Sequence, residues 1–335
     1  MTPGRGVSKE VSFFRGRKNL RTFLHVPVTQ LPPARFQKLA RQLAGAFLTP
    51  VYWLLAHRYH TPGLRFHRLC AEFGLRLLFK RAAPISLGWS YQFIFEPMDS
   101  TRYFEFDFAW HALEPLTFQN YLDVSSPRLL PLLLLWKRRV LTAELINPDA
   151  HDLETTQKLA NAGGLADRCH FHSCVIDTIP FAPESFDLIT SISVVEHIAE
   201  DRQAIVKMWA LLRPDGRLLI TVPCSAQTSE QFIDYNEYGV EKPDPAGFVF
   251  FQRFYDPTLL QKRIFSVTGL PNRMQVYGER IPGAFQRNAQ QKRTEHFTRY
   301  PFWRESDMMG QEYTYFDSVA NLPGEGVIAM EFIKR

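Results

Sequence analysis

The stretch Ile179-Pro-Phe-Ala-Pro-Glu-Ser-Phe-Asp-Leu-Ile-Thr-Ser-Ile-Ser-Val-Val-Glu-His-Ile-Ala-Glu-Asp-Arg-Gln-Ala-Ile-Val-Lys-Met-Trp-Ala-Leu-Leu-Arg-Pro-Asp-Gly-Arg-Leu-Leu-Ile-Thr-Val-Pro223 decides the fold. Phe186 to Ser193 is an apolar run of strand length. Val194 to Gln203 carries a turn, and Gln203 to Leu212 has the spacing of a helix. Arg213-Pro214-Asp215-Gly216 stops that helix, and Arg217 to Pro223 is a second apolar strand. Strand, helix and strand in this order predict a parallel sheet with helices on both faces.

Working outward, the 335 residues suffice for two domains or one elaborated domain. An apolar fraction of 45% permits a full core and excludes a disordered chain. The four cysteines form no CxxC pair, which fits a reducing, cytoplasmic compartment. No long uncharged apolar run predicts a spanning helix, and no apolar run with a cleavage site predicts a secretory signal.

Charge is unevenly placed. Residues 1–85 hold fifteen Lys and Arg against only Glu10 and Glu72, a formal +13. The remaining 250 residues hold 24 basic and 32 acidic groups, a formal −8. The basic pole suggests an anionic partner surface. After Pro32-Pro33, Phe36, Leu39, Ala40, Leu43 and Phe47 recur at helical spacing, with Arg35, Lys38 and Arg41 on the flanks. Pro50 is expected to break this helix, and a second one runs from about His67 to Phe79. Two readings stay open: a cap packed on the catalytic domain, or a helix in a membrane interface with Tyr52 and Trp53 at its boundary. Residues 85–109 alternate and are rich in aromatics, which predicts a β-hairpin or two edge strands.

The motif series resembles the class I S-adenosylmethionine-dependent methyltransferases, in particular the type associated with ubiquinone and menaquinone biosynthesis. The resemblance rests on Ile179-Pro180-Phe181, Phe186-Asp187, Val194-Val195-Glu196-His197, Leu212-Arg213-Pro214-Asp215-Gly216 and Pro223. It implies a Rossmann-like methyltransferase sheet over residues 116–225. Around it stand a basic helical amino-terminal part (1–115) and a mixed carboxyl-terminal part (226–335) that completes the sheet. S-adenosyl-L-methionine is the implied cofactor.

The family pattern places the first strand at Asn120–Val124, so Asp123, Ser125 and Ser126 stand where the cofactor is approached. Ser125-Ser126-Pro127-Arg128 replaces the family's glycine turn and reads instead as a helix start, whose N–H groups suit a carboxylate. The second strand ends before Asn147-Pro148-Asp149. The family's ribose acid falls at Leu145; Asn147 and Asp149, in the loop, are its substitutes, unless a bulge shifts Glu144. Asp177 substitutes for the adenine-reading acid, with a solvated loop acid as the alternative. Ser193 ends the strand beside the cofactor.

His197 is the candidate base by residue type, with Glu196 beside it; a structural role in the turn is the alternative. Tyr235, Asn236 and Tyr255 are the candidate acceptor-side residues, and Asp256-Pro257 reads as a helix start. Arg253 and Tyr277-Gly278-Glu279 read as surface. Cys169, His170, His172 and Cys174 read as strand residues, so no metal is expected. Two functions follow: methyl transfer, at oxygen, to a small-molecule or lipid-linked acceptor, or a non-catalytic binding module on an anionic membrane or partner. The place expected is the cytoplasm, with or without peripheral attachment to a membrane through residues 1–85. No N/D-PPY tetrad follows the fourth strand, which argues against nucleic-acid base methylation.

Overall fold

In the computed structural model, Phe186–Ile192 is the strand the sequence calls for, and it lies at the centre of an eight-stranded sheet. The structure describes residues 13–16, 19–24, 35–80, 87–236, 242–295 and 299–335. The strands are β1 (Phe13–Gly16), β2 (Asn19–Leu24), β3 (Phe118–Val124), β4 (Val140–Ile146), β5 (Cys169–His172), β6 (Phe186–Ile192), β7 (Leu212–Ser225), β8 (Ser229–Ile233), β9 (Val249–Phe254), β10 (Arg273–Glu279), β11 (Tyr313–Phe316) and β12 (Glu325–Ile333). The helices are α1 (Arg35–Ala56), α2 (Leu64–Lys80), α3 (Leu87–Phe95), α4 (Arg102–Leu113), α5 (Leu129–Trp136), α6 (Ala150–Gly163), α7 (Asp201–Leu211), α8 (Pro257–Leu260), α9 (Ser266–Thr268), α10 (Ala284–Glu295) and α11 (Glu305–Glu312).

The large sheet runs β11-β10-β12-β7-β6-β3-β4-β5. Strands β5, β4, β3, β6 and β7 are mutually parallel, while β12 is antiparallel to both β7 and β10. This is the Rossmann-like architecture, with β10, β11 and β12 of the carboxyl-terminal part in the same sheet. Chain order reverses between β3 and β6. In such sheets the crevice outside the carboxyl ends of the strands at that point is where ligands bind. A second sheet, β1-β2-β8-β9, is tied to the first by an isolated bridge between Cys224 and Tyr255.

The faces of the large sheet carry separate cores. One gathers Phe66 and Phe73 of α2, Phe104 and Trp110 of α4, the leucines of α5 and Ala143 of β4. The other gathers Ile189 of β6, Ile205 and Met208 of α7, Ile220 of β7 and Ile264. The first core runs across residue 115 and joins α2 and α4 to α5 and β4.

Residues 87–113 are α3 and α4, not the expected β-hairpin or edge strands. The cause is burial all round. Tyr103, Phe104, Phe106, Phe108, Ala109 and Trp110 are all buried, so α4 has no polar face to set a helical period. Helix α1 also differs from expectation, since it continues through Pro50. The inner face of the helix packs on α3, α11 and Phe302–Arg304, which holds it across the lost backbone donor. Tyr52 and Trp53 do not mark an outer boundary. The Trp53 indole N–H donates to the Leu64 carbonyl at 3.3 Å, and Tyr52 lines a cavity against α10 and α11. Among the described residues no helix is long and apolar enough to cross a membrane.

Candidate functional site

At the end of β3 the backbone turns through Ser125, whose φ of 52° lies in the left-handed region that glycine favours. The conformation of a glycine turn is therefore kept by a serine. Its hydroxyl donates to the Ile146 carbonyl at 3.1 Å, a local bond of the kind that helps short polar residues tolerate this region. The next residue ties the switch point together. The Ser126 N–H donates to Asp123 Oδ2 at 3.1 Å, and its hydroxyl oxygen accepts from the Ile192 N–H at 3.0 Å. Helix α5 starts only at Leu129 and has no capping side chain, because both serines are spent on the turn.

Asp123 does not face the crevice as expected. It is 2% exposed, and its Oδ1 accepts from the hydroxyls of Tyr121 and Thr190, each at 2.9 Å. Burial pushes its carboxyl up to about 7, against the pull of its hydrogen bonds from Tyr121, Thr190 and Ser126. Asp123 thus clamps the turn from beneath.

A cavity of about 380 Å³ opens outside the ends of β3 and β6. Ser125, Ser126 and Arg128 line it on one side, and Ser193 and His197 on the other. Ser126, Pro127 and Arg128 wall the hollow without filling it. The Arg128 guanidinium lies over the Trp89 ring at 5.0 Å and pairs with Asp152.

Asp152 also lines the cavity and accepts from the Asn147 side-chain amide at 3.2 Å. The two substitutes for the ribose acid behave otherwise. Asp149 is the N-cap of α6, its Oδ1 accepting from the N–H groups of His151 and Asp152 at 2.9 and 3.2 Å. Asn147 accepts from the Asp149 N–H at 3.0 Å while its amide holds Asp152. Neither lines the cavity. Sequence reasoning missed Asp152; the signal was an acid in the first turn of the helix after the second strand. No bulge redirects Glu144, which bonds His172 Nε2 at 2.6 Å across β4 and β5. Asp177 sits exposed in a short turn, Ile176–Thr178, outside the cavity.

At the end of β6, Ser193 also has a left-handed φ, 49°. Its N–H donates to the hydroxyl oxygen of Thr221 at 3.0 Å, and its own hydroxyl donates to Glu105 Oε1 at 2.5 Å. Glu105, fully buried on α4, pairs through Oε2 with Arg102 at 2.6 Å. Arg102 and Glu105 were invisible while this segment was read as a strand. On a helix their spacing of three residues is the signature of a pair on one face.

His197 lines the cavity, and its Nδ1 stands 2.6 Å from the carbonyl oxygen of Phe251. Burial lowers the imidazole to about 4, although the Phe251 bond works the other way. Glu196 is 2% exposed and does not line the cavity. Burial lifts its carboxyl to about 8 against the nearby Arg102, and its Oε2 has no hydrogen-bond partner among the described residues. The 3.8 Å contact between Glu196 Oε1 and His197 Nε2 is thus one between two neutral groups near pH 7.

The acceptor-side candidates do not converge on this cavity. Tyr235 and Asn236 are exposed beyond β8. Tyr255 is fully buried and donates to Asp201 Oδ2 at 2.5 Å. Asp201 in turn binds Arg253 at 2.7 Å and Arg263, so Tyr255 completes an internal charge network. Arg253, with Tyr277 and Glu279, is buried instead of lying on the surface. Asp256 caps α8 as expected, accepting from the Leu259 N–H at 2.7 Å. Among the described residues no three His, Cys, Asp or Glu side chains converge as a metal site.

A second cavity, of about 450 Å³, shares Trp89, Gln92 and Pro97 with the first. Its far wall is Lys38, Arg41 and Gln42 of α1 with Phe302. Arg41 is not a free flank of α1, for it pairs with Glu96 at 2.5 Å.

Residues 124–220, from the end of β3 to the middle of β7, match the family model described as a methyltransferase domain. A curated relative, the methyltransferase GfsG of Streptomyces halstedii, is 33% identical over 79 residues. That alignment covers 24% of this chain and 28% of GfsG, so little more than a quarter of the relative's length is spanned. Among solved structures, a putative sarcosine dimethylglycine methyltransferase from Galdieria sulphuraria aligns with 12% identity and a TM-score of 0.41, over 68% of this chain and 81% of its own. The YcgJ protein of Bacillus subtilis aligns with 15% identity and a TM-score of 0.43, over 68% and 97%.

Proposed function

We propose that the chain, whose residues 124–220 match a methyltransferase domain, transfers a methyl group from S-adenosylmethionine to an oxygen of a small-molecule or lipid-linked acceptor. The observation that carries this reading is the cavity at the switch point, bounded by the serine turn of β3 and by Ser193 and His197 of β6. Its volume lies in the range of small-molecule sites.

The residues present suit the cofactor. Arg128 offers a cation for a carboxylate, and Asp152 offers acceptor oxygens for a ribose diol. Ser125 keeps the left-handed conformation of a glycine turn, with its hydroxyl engaged by the Ile146 carbonyl. When bound, the cofactor supplies a methyl group already activated on a sulfonium.

What remains for the chain is to align the acceptor, exclude water and take a proton. Trp89, Phe93 and Pro97 give the cavity an apolar wall against water. A carbonyl can only accept, so His197 Nδ1 carries the hydrogen toward Phe251. Nε2 is therefore the basic nitrogen, and the acceptor hydroxyl's proton passes to it. Glu105 and Arg102 hold Ser193 in place at the same edge. The basic residues of 1–85 favour an anionic membrane surface as the source of a lipid-linked acceptor.

Calorimetric titration of the full chain with S-adenosylmethionine tests the reading. Micromolar binding is expected. No heat at millimolar cofactor overturns it and leaves a binding module in its place.

A further inference from the structure

We propose that α1 seats the protein on an anionic lipid bilayer through an apolar stripe that the fold leaves uncovered. Phe36, Leu39, Leu43, Phe47, Val51 and Leu54 recur every three or four residues, which puts them on one face of the helix over about 27 Å. All six are exposed, Phe36 to 80%, Phe47 to 77% and Leu54 to 64%. No charged residue interrupts that face. A contiguous apolar strip of this length marks a contact surface.

The opposite face of α1 is already used. The Thr49 hydroxyl donates to the Phe95 carbonyl at 3.3 Å, Trp53 to Leu64, and Arg41 pairs with Glu96. The apolar stripe is therefore not a core face awaiting a small rearrangement.

Charge selects the occupant. Helix α1 carries no acid and lies within a segment of formal +13, although its Arg41 is already paired with Glu96 on the inner face. A second copy docking through the same stripe would set cations against cations. An anionic bilayer takes both features at once, apolar side chains below the headgroups and cations among them. Phosphates of a nucleic acid would leave the apolar stripe uncovered.

The inference deepens the lipid-linked acceptor reading and rests on it only for the use of the surface. The inner face of α1, at Lys38, Arg41 and Gln42, walls the second cavity, which shares Trp89, Gln92 and Pro97 with the first.

Co-sedimentation of the full chain with phosphatidylcholine vesicles, with and without phosphatidylglycerol, tests the proposal. Binding is expected to the anionic vesicles, at least tenfold tighter than to the neutral ones, and to weaken with added salt. The doubly substituted F36S/F47S chain, altered only at exposed positions, is expected to lose at least tenfold in vesicle binding. Its titration with S-adenosylmethionine should be unchanged. Failure of the unsubstituted chain to pellet with anionic vesicles overturns the proposal, as does equal binding by F36S/F47S. A chain that scatters light as a dimer, and as a monomer once so substituted, assigns the stripe to a second copy and also overturns it. A missing cofactor heat would strike the methyl-transfer reading alone.

Discussion

The Nδ1 of His197 stands 2.6 Å from the carbonyl oxygen of Phe251, and this contact fixes which nitrogen of the ring is basic. Burial also keeps the ring neutral, lowering it to about 4 from its ordinary 6.5. A histidine expected from sequence to titrate near neutrality is thus in its proton-accepting form down to mildly acid pH. The ring protons of His197, followed by NMR and assigned by loss in H197Q, should titrate with a midpoint near 4. A midpoint near 6.5 would mean that the ring is solvated. The sign for stability follows. The unfolded chain takes the proton near 6.5 and the folded chain only near 4, so the contribution of His197 is whole above 6.5 and is lost as pH falls toward 4.

Glu196 works in the opposite direction. Its carboxyl, ordinarily near 4.5, is lifted to about 8, so the folded chain keeps a proton that the unfolded chain releases. Stability therefore falls as pH rises from 4.5 to 8 and levels off above that. E196Q keeps the shape and removes the titration. The unfolding free energy of E196Q, relative to the unsubstituted chain, should rise steadily across that interval, by an amount on the order of a few kcal/mol, and its melting temperature with it. Part of the alkaline loss will persist in E196Q, because buried Asp123 is lifted to about 7 in the same way. Parallel melting curves for the two chains from pH 5 to 9 would contradict this account.

Ser125 gives a test of the turn that replaces the glycine motif. Its left-handed φ is costly for a side chain, while its hydroxyl bond to Ile146 returns part of that cost. S125G removes both and should leave unfolding free energy within about 1 kcal/mol of the original. S125V puts a β-branched residue in the same conformation with no hydroxyl and should lose about 2–3 kcal/mol. Denaturant unfolding of both chains distinguishes this from an ordinary turn, where the two would differ little.

What the sequence revealed, and what it hid, follows from burial. Ile179 to Pro223 was legible because β6 and the end of β7 are apolar runs of strand length on either side of a segment with helical spacing, although β7 already begins at Leu212. The Asp256 cap was legible because capping is local. Helix α4 was not, because its aromatics are buried on every side and alternate by accident in RYFEFDF. Tyr255 and Arg253 looked like pocket and surface residues, yet they meet Asp201, more than fifty positions away, in a buried network. Long-range charge pairing of this kind leaves no trace in local spacing. Asp152 was overlooked for a related reason. Asn147 and Asp149 sit closer to the strand end, but their side chains are taken up by the helix start.

That division of labour among three neighbouring polar residues yields a last prediction. Asp152 lines the cavity, paired with Arg128 and held by Asn147, whereas Asp149 caps α6 and Asp177 is exposed elsewhere. Loss of a charge-assisted hydrogen bond costs about 1.5–3 kcal/mol, or roughly ten- to hundredfold in affinity. D152N should therefore weaken S-adenosylmethionine binding by at least about tenfold, measured calorimetrically. D149A should lower the melting temperature through its lost cap, worth about 1 kcal/mol, with a much smaller effect on binding. D177N should change neither. Equal affinities for D152N and the unsubstituted chain, with a large loss in D177N, would move the adenosine end of the cofactor away from α6 and toward the turn after β5.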